Sequence, residues 1–160
     1  QFFNIVINKT SDPIITTIKL KHDKSYFDYD FNEESDGTRR LFDLIDMLLM
    51  NKDDVVFVVD ELERSLHPKL TACFLKLFDS LHVDNNIQLI FSTHESTIMD
   101  QALFRRDEIW FIERDENNSS KLYSLDRFKE RYDKRLSKAY LEGRYGAIPI
   151  FKEFTSWGEN

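Results

Sequence analysis

Hydrophobic positions change their period along the chain, and each change marks an element. From Ile14 to Phe31, Ile18 and Leu20 alternate with lysines, and Phe27, Tyr29 and Phe31 alternate with aspartates. Period-two alternation puts one face on a core and the other in water. The stretch therefore predicts two strands, joined across the polar break His22 to Ser25 as a half-exposed antiparallel hairpin. From Ser35 the period lengthens, and Leu41, Leu44, Ile45, Leu48 and Leu49 recur at helical spacing. This predicts an amphipathic helix ending near Asn51. Val55 to Val59 is an unbroken apolar run stopped by Asp60 and Glu61. Such a run predicts a strand buried on both faces, in the middle of a parallel sheet covered by helices. Pro68 suits the first turn of a following helix, with Leu70, Phe74, Leu77, Phe78 and Leu81 as its buried stripe. Ile87 to Ser92 reads as a second buried strand, Glu108 to Glu113 as a third, and Lys121 to Leu125 as a shorter edge strand. Strand, helix, strand, then edge strands is the order of an α/β layer architecture. No internal repeat interrupts it.

Composition narrows the class. At 160 residues, with 41% hydrophobic and 32% charged side chains, the chain has the size and balance of one globular domain. Fourteen Phe point to dense core or interface packing, and four Gly with three Pro leave little room for linkers. The net charge of −7 argues against non-specific binding of DNA or anionic lipid by the whole surface. The charge is uneven. Lys121 to Lys152 carries nine Lys/Arg against four acids, +5 for that stretch and therefore −12 for the rest. A solvated helical face accounts for such a run, and a docking surface for nucleic acid or an acidic partner is the alternative. The single Cys73 excludes an intramolecular disulfide and any multi-cysteine zinc site. No apolar run approaches the roughly 20 residues that span a bilayer, and no signal peptide is visible, so a cytoplasmic location without membrane partners is expected. The chain opens on Gln1 rather than Met, as expected of a piece of something longer.

Candidate chemistry concentrates at strand ends. In parallel sheets ligands bind outside the carboxyl ends of strands, where Asp60 and Glu61 follow Val59. Two adjacent carboxylates there can divide the work, the first serving Mg²⁺ and the second orienting or deprotonating a water. A strand stopping at a polar turn has the same appearance. The next strand, however, runs into Ser92, Thr93, His94 and Glu95. A histidine at a neighbouring strand end can reach the same rim and donate to a phosphate oxygen. The third element is Glu34-Ser35-Asp36-Gly37-Thr38, opening the helix of Leu41. Ser35 is a good N-cap, Gly37 admits close backbone approach, and a helix N-terminus attracts anions. Alone, it is an ordinary capping sequence.

Taken in this order, the three pieces resemble the second half of an ABC-type ATPase domain. The match comprises a signature segment (Ser35 to Thr38), a Walker B strand (Val55 to Glu61), a D-loop (Ser65-Leu66-His67) and a switch histidine, His94. The strings ESDGTRRL, VVDELERSLHPKL, LIFSTHES, RRDEIWFIERD and YLEGRYGAIPIF are similar to one branch, the SMC-like and RecF-like AAA family ATPases of anti-phage and abortive-infection operons. The resemblance runs from Glu33 to Phe151 and implies the second lobe of a RecA-like P-loop NTPase. The expected fold is a mostly parallel sheet flanked by helices, with a short N-terminal β element over 1–32, the ATPase lobe over 33–151 and a tail over 152–160. It implies ATP and Mg²⁺ as cofactors. Asp60 would serve the metal, Glu61 would be the catalytic base and His94 would contact the γ-phosphate. Ser35, Gly37 and Thr38 would cap the nucleotide of the opposite protomer, and Ser65 and Leu66 would lie at that seam, so a homodimer is expected. The family's C-terminus implies that no appended nuclease domain follows.

Departures sharpen this. Glu34 and Asp36 stand where a transporter signature has Leu and Gly, and His67 replaces the usual D-loop Asp, which disfavours a transporter. No G-x-x-x-x-G-K-[ST] occurs, since the only glycines are Gly37, Gly143, Gly146 and Gly158. The P-loop lobe is absent from these residues, and the chain alone is expected not to hydrolyse ATP. The expected function is thus the C-terminal half of an ATPase in an anti-phage defence or DNA-transaction complex. The alternative is a non-catalytic scaffold that recruits a nuclease or toxin. A chromosome-maintenance ATPase would call for long coiled-coil heptads, and none are present. His22, His67 and His82 are expected in surface or turn roles, Cys73 buried and inert, Trp110 in the core, Trp157 in tail or interface packing, and Tyr140 to Phe151 as a packed closure.

Overall fold

The computed structural model describes residues 4–10, 15–21, 29–115, 117–128 and 135–148. His22 to Ser25, Trp157 and the tail 152–160 lie outside the described residues. Strand β1 (Asn4–Thr10) pairs antiparallel with β2 (Ile15–Lys21), and β2 pairs antiparallel with β3 (Tyr29–Asp30). The two expected strands pair as β2 and β3, with Leu20 opposite Tyr29, and β1 adds a third strand. Phe31, expected to continue the strand, starts a 3₁₀ turn over Phe31–Glu33 instead.

Helix α1 (Asp36–Leu49) begins where a cap can satisfy its first free amides. The Ser35 hydroxyl accepts from the Thr38 backbone N–H at 3.2 Å, and Asp36 places a carboxylate in the first turn. Its inward stripe buries Leu44 and Met47. Strand β4 (Val55–Val59) pairs in parallel with β5 (Ile87–Phe91), and α2 (Pro68–Leu81) connects them. Pro68 opens α2, with no amide to lose, behind His67, whose ring Nδ1 accepts from the Lys69 N–H at 3.2 Å. Helix α2 buries Thr71, Phe74, Leu75 and Phe78. This is a clean i, i+3, i+4, i+7 stripe, one step away from the expected one. Leu70, Leu77 and Leu81 stay partly exposed, because the fully buried Thr71 leads the inward face and a hydrophobicity count passes over it. Cys73, expected to be buried, is exposed on the same helix.

Among the described residues the β4–β5 pair is covered on one side only. Phe57, Val59, Ile87, Leu89 and Phe91 turn toward the α1–α2 core, while Val56, Val58 and Ile90 are 56%, 77% and 50% exposed. The expectation of burial on both faces does not hold among the described residues, because both helices pack on one face. His82, expected at the surface, is buried at the end of α2, where its Nε2–H donates to the Met47 carbonyl at 2.8 Å and joins the C-terminal ends of both helices.

Strands β6 (Trp110–Arg114) and β7 (Ser120–Ser124) form an antiparallel hairpin. With α3 (Leu136–Leu141) they enclose a second core of Phe111, Leu125, Leu136, Ala139 and Tyr145. The Phe111 ring stacks against Tyr140 and Tyr145, with centroids 5.6 and 5.8 Å away. Pleat alternation that turns Phe111 inward turns Trp110 outward. Trp110, expected in the core, is 56% exposed and donates its indole N–H to the Asp107 carbonyl at 2.9 Å. The expected closure is present as far as residue 148, with Tyr145 buried and its carbonyl accepting from the Tyr123 hydroxyl at 2.8 Å. The two cores meet just after β5, where Ile98 enters the first and the adjacent Met99 packs on the second. In the basic stretch, Lys121 pairs with Asp115 and Arg144 with Glu142, as a solvated surface would. Among the described residues no helix is long and apolar enough to cross a membrane, and no cluster of His, Cys, Asp and Glu has a metal-binding arrangement.

Candidate functional site

The β4–β5 register sets Val59 opposite Phe91, so both strands end at the same level and their next residues emerge side by side. The ladder continues past the strand ends. Ser92 N–H donates to the Val59 carbonyl at 3.0 Å and Leu62 N–H to the Ser92 carbonyl at 3.1 Å. Leu62 is fully buried and anchors the turn from below. Asp60 and Glu61 project above it, both exposed. The Ser92 hydroxyl donates to Asp60 Oδ1 and accepts from the Glu61 N–H, the latter at 2.9 Å. Glu61 has a left-handed backbone, φ +48°, which a non-glycine residue adopts at a cost and which occurs disproportionately at functional sites.

His94 lies across from this pair, its Nε2 at 3.7 Å from Glu61 Oε1. Asp60, Glu61 and His94 thus converge on one rim, as expected. Glu63, which sequence reasoning passed over, holds the His94 segment: its Oε1 accepts the His94 backbone N–H at 2.7 Å. Burial pushes the Glu63 carboxyl up, but the hydrogen bonds from the His94 N–H and the Thr93 hydroxyl, with the nearby His94 ring, outweigh it and hold the group below its ordinary value of 4.5. A carboxylate depressed on folding adds stability at pH values above its unfolded pKa and loses it as pH falls through the folded one. Acid unfolding of the chain is therefore expected to carry a component below about pH 4.5 that Glu63→Gln removes. Urea midpoints for both proteins at pH 6 and pH 3.5 check this, and identical pH dependence would refute it.

Ser35, Gly37, Thr38 and Ser65 form a second group. The Ser35 hydroxyl also lies 2.9 Å from Thr38 Oγ1. A Cβ placed on Gly37 would stand 2.9 Å from the Ser65 carbonyl oxygen, so the first turn of α1 rests on the backbone of the loop after β4. Ser65 itself has φ +62°. The two groups are joined by Arg40, whose Nη2 donates to the carbonyls of Asp60 and Glu61 at 3.3 and 3.1 Å. Arg40 and Ser92 carried no signal of their own in the sequence, since an Arg on a helix and a Ser after a strand are commonplace. Gly→Ala in a helix normally adds about 0.4–1 kcal/mol of stability. At Gly37 the new methyl meets backbone, and overpacking costs about 1–3 kcal/mol. Gly37→Ala is thus expected to lower the melting temperature, and a rise would show that the loop gives way freely.

These elements define the protein first as an α/β domain whose parallel strands deliver a paired acid and a histidine to one rim. Residues 4–100 match the family described as "AAA domain, putative AbiEii toxin, Type IV TA system", and the chain belongs to that family. All the candidate residues, Ser35 through His94, fall inside the matched span. No curated protein matches the chain.

Proposed function

We propose that the chain is the carboxylate-bearing half of an ABC-type, SMC-like ATP-hydrolysis site, completed by a P-loop lobe and closed by a second protomer. The observation that carries this reading is the convergence of Glu61 and His94, 3.7 Å apart, above two level parallel strand ends. Glu61 is the base that takes a proton from the attacking water, and His94 donates to the γ-phosphate. The Asp60 carboxylate is an oxygen donor suited to a hard cation, and Mg²⁺ bound there would neutralise developing charge on the phosphates. Ser35, Gly37 and Thr38 face the nucleotide of the opposite protomer, with Ser65 at the seam. The apolar face of β4 and β5, uncovered among the described residues, suits a P-loop lobe, because parallel sheets are ordinarily covered on both faces. Family membership supports a setting in abortive infection or toxin–antitoxin systems, with a toxin–antitoxin partner.

The test is Mg²⁺-dependent ATP turnover by the chain alone and by the chain joined to a P-loop lobe, each beside Glu61→Gln. Turnover only in the joined protein, lost in Glu61→Gln, supports the reading. No turnover in either protein, with the P-loop lobe joined, would leave a scaffold that recruits its partner without hydrolysis.

A further inference from the structure

Among the bonds that tie the loops after β4 and β5, two side chains accept backbone amides in opposite directions. From the β5 side, the Ser92 hydroxyl accepts the Glu61 backbone N–H at 2.9 Å. From the β4 side, the Glu63 carboxylate accepts the His94 backbone N–H at 2.7 Å. Each loop therefore holds the backbone of the other loop's candidate catalytic residue. The bonds differ in kind. Ser92 is neutral and exposed, whereas Glu63 is a half-buried carboxylate, and a charge-assisted bond is shorter and about twice as strong. Around His94 the polar contacts continue, because the Thr93 hydroxyl accepts the Glu95 N–H at 3.0 Å and Glu95 caps the 3₁₀ turn at Ser96–Ile98. That turn enters the core through Ile98. The His94 segment is thus fixed downstream by packing and upstream by β5. The bond from Glu63 ties the backbone at His94 itself to the turn that carries Glu61.

We propose that Glu63 is the positioning residue for His94: its carboxylate sets the backbone from which the imidazole reaches Glu61, so the two catalytic side chains move as one unit with the turn after β4. The proposal rests on the hydrolytic reading for its functional meaning, and on the Glu63–His94 bond for its geometry. Glu63 touches no reacting atom in this scheme. It acts through His94.

The experiment is residue-resolved amide hydrogen exchange by NMR on the 160-residue chain without nucleotide, comparing wild type, Glu63→Ala and Glu63→Gln. In Glu63→Ala the His94 amide is expected to exchange about 10-fold faster or more, as befits loss of a hydrogen bond to a charged acceptor. The Glu61 and Leu62 amides, held by Ser92, are expected to stay within about 2-fold of wild type. Glu63→Gln keeps an oxygen at the same reach and restores most of the protection, with the His94 amide proton moved upfield because the acceptor is neutral. His94 exchange unchanged in Glu63→Ala would overturn the proposal, as would equal acceleration at Glu61, Leu62 and His94, which marks general loosening. If Glu63→Ala does not fold, Glu63→Gln decides alone, since an unshifted His94 amide proton would mean that the bond is not made. No nucleotide enters this measurement, and no change at Glu63 enters the turnover test, so failure of one reading is distinguishable from failure of the other.

Discussion

Glu61→Gln is expected to lower ATP turnover of the P-loop-joined protein by about 10²–10⁴-fold, the range that a positioned general base contributes. The substitution isolates proton acceptance because it changes little else. Gln has the same shape, so the left-handed backbone at φ +48° is kept. The bond to the Ser92 hydroxyl is made by the backbone N–H and does not depend on the side chain. Arg40 holds the Glu61 carbonyl, which is likewise untouched. The melting temperature should therefore stay at its wild-type value while turnover falls. Glu61→Gly provides the opposite signature. It relieves a backbone strain of about 1–2 kcal/mol, so stability rises as turnover is lost. The pair separates a chemical role from a structural one. Undiminished turnover in Glu61→Gln, at normal ATP affinity, would remove Glu61 from the mechanism.

The largest loss of stability is expected from Leu62→Ala, at about 2–5 kcal/mol. Leu62 is fully buried among Leu44, Phe74, Leu75 and Ile98, with Phe57 and Phe91 close by. It sits in the turn after β4, where its own N–H donates to the Ser92 carbonyl and the Glu61 N–H to the Ser92 hydroxyl, which limits how far the structure can collapse into a cavity. Against a total of about 5–15 kcal/mol for a domain, this is a large fraction. Urea unfolding should show a lower midpoint at unchanged slope. Val58→Ala serves as the control. Val58 is 77% exposed, and its truncation should fall within about 0.5 kcal/mol. A Leu62→Ala protein as stable as Val58→Ala would contradict the placement of Leu62. The loss also bears on the site, because Leu62 separates Glu61 from Glu63 and fixes the direction in which each points.

Local signals in the sequence carried far where an element's own chemistry is sufficient. Ser35 before an amphipathic repeat marks the start of α1, and Pro68 marks the start of α2. The five-residue runs Val55–Val59 and Ile87–Phe91 are strands as their composition demands. The shared rim of Asp60, Glu61 and His94 was legible because parallel strands end level, and the ends of two such strands can be read directly from where their apolar runs stop. Less was legible where a residue's role depends on a neighbour remote in sequence. Thr71 is buried as the lead of the α2 stripe, Cys73 and Trp110 face outward, and His82 turns in to meet the Met47 carbonyl. Those outcomes follow from which face of α2, and which pleat of β6, the rest of the fold covers.

What the sequence by itself determined is the series of helices and strands and the chemistry at their ends, since periodicity, capping and apolar runs act over a few neighbouring residues. Tertiary structure alone decided that β4 and β5 are covered on one face among the described residues, that Arg40 binds the carbonyls of Asp60 and Glu61, and that Ser92 and Glu63 hold each other's loops. Each of those contacts joins residues about 20 or more positions apart, and no local pattern encodes a bond whose partner is placed only when two strands come into register.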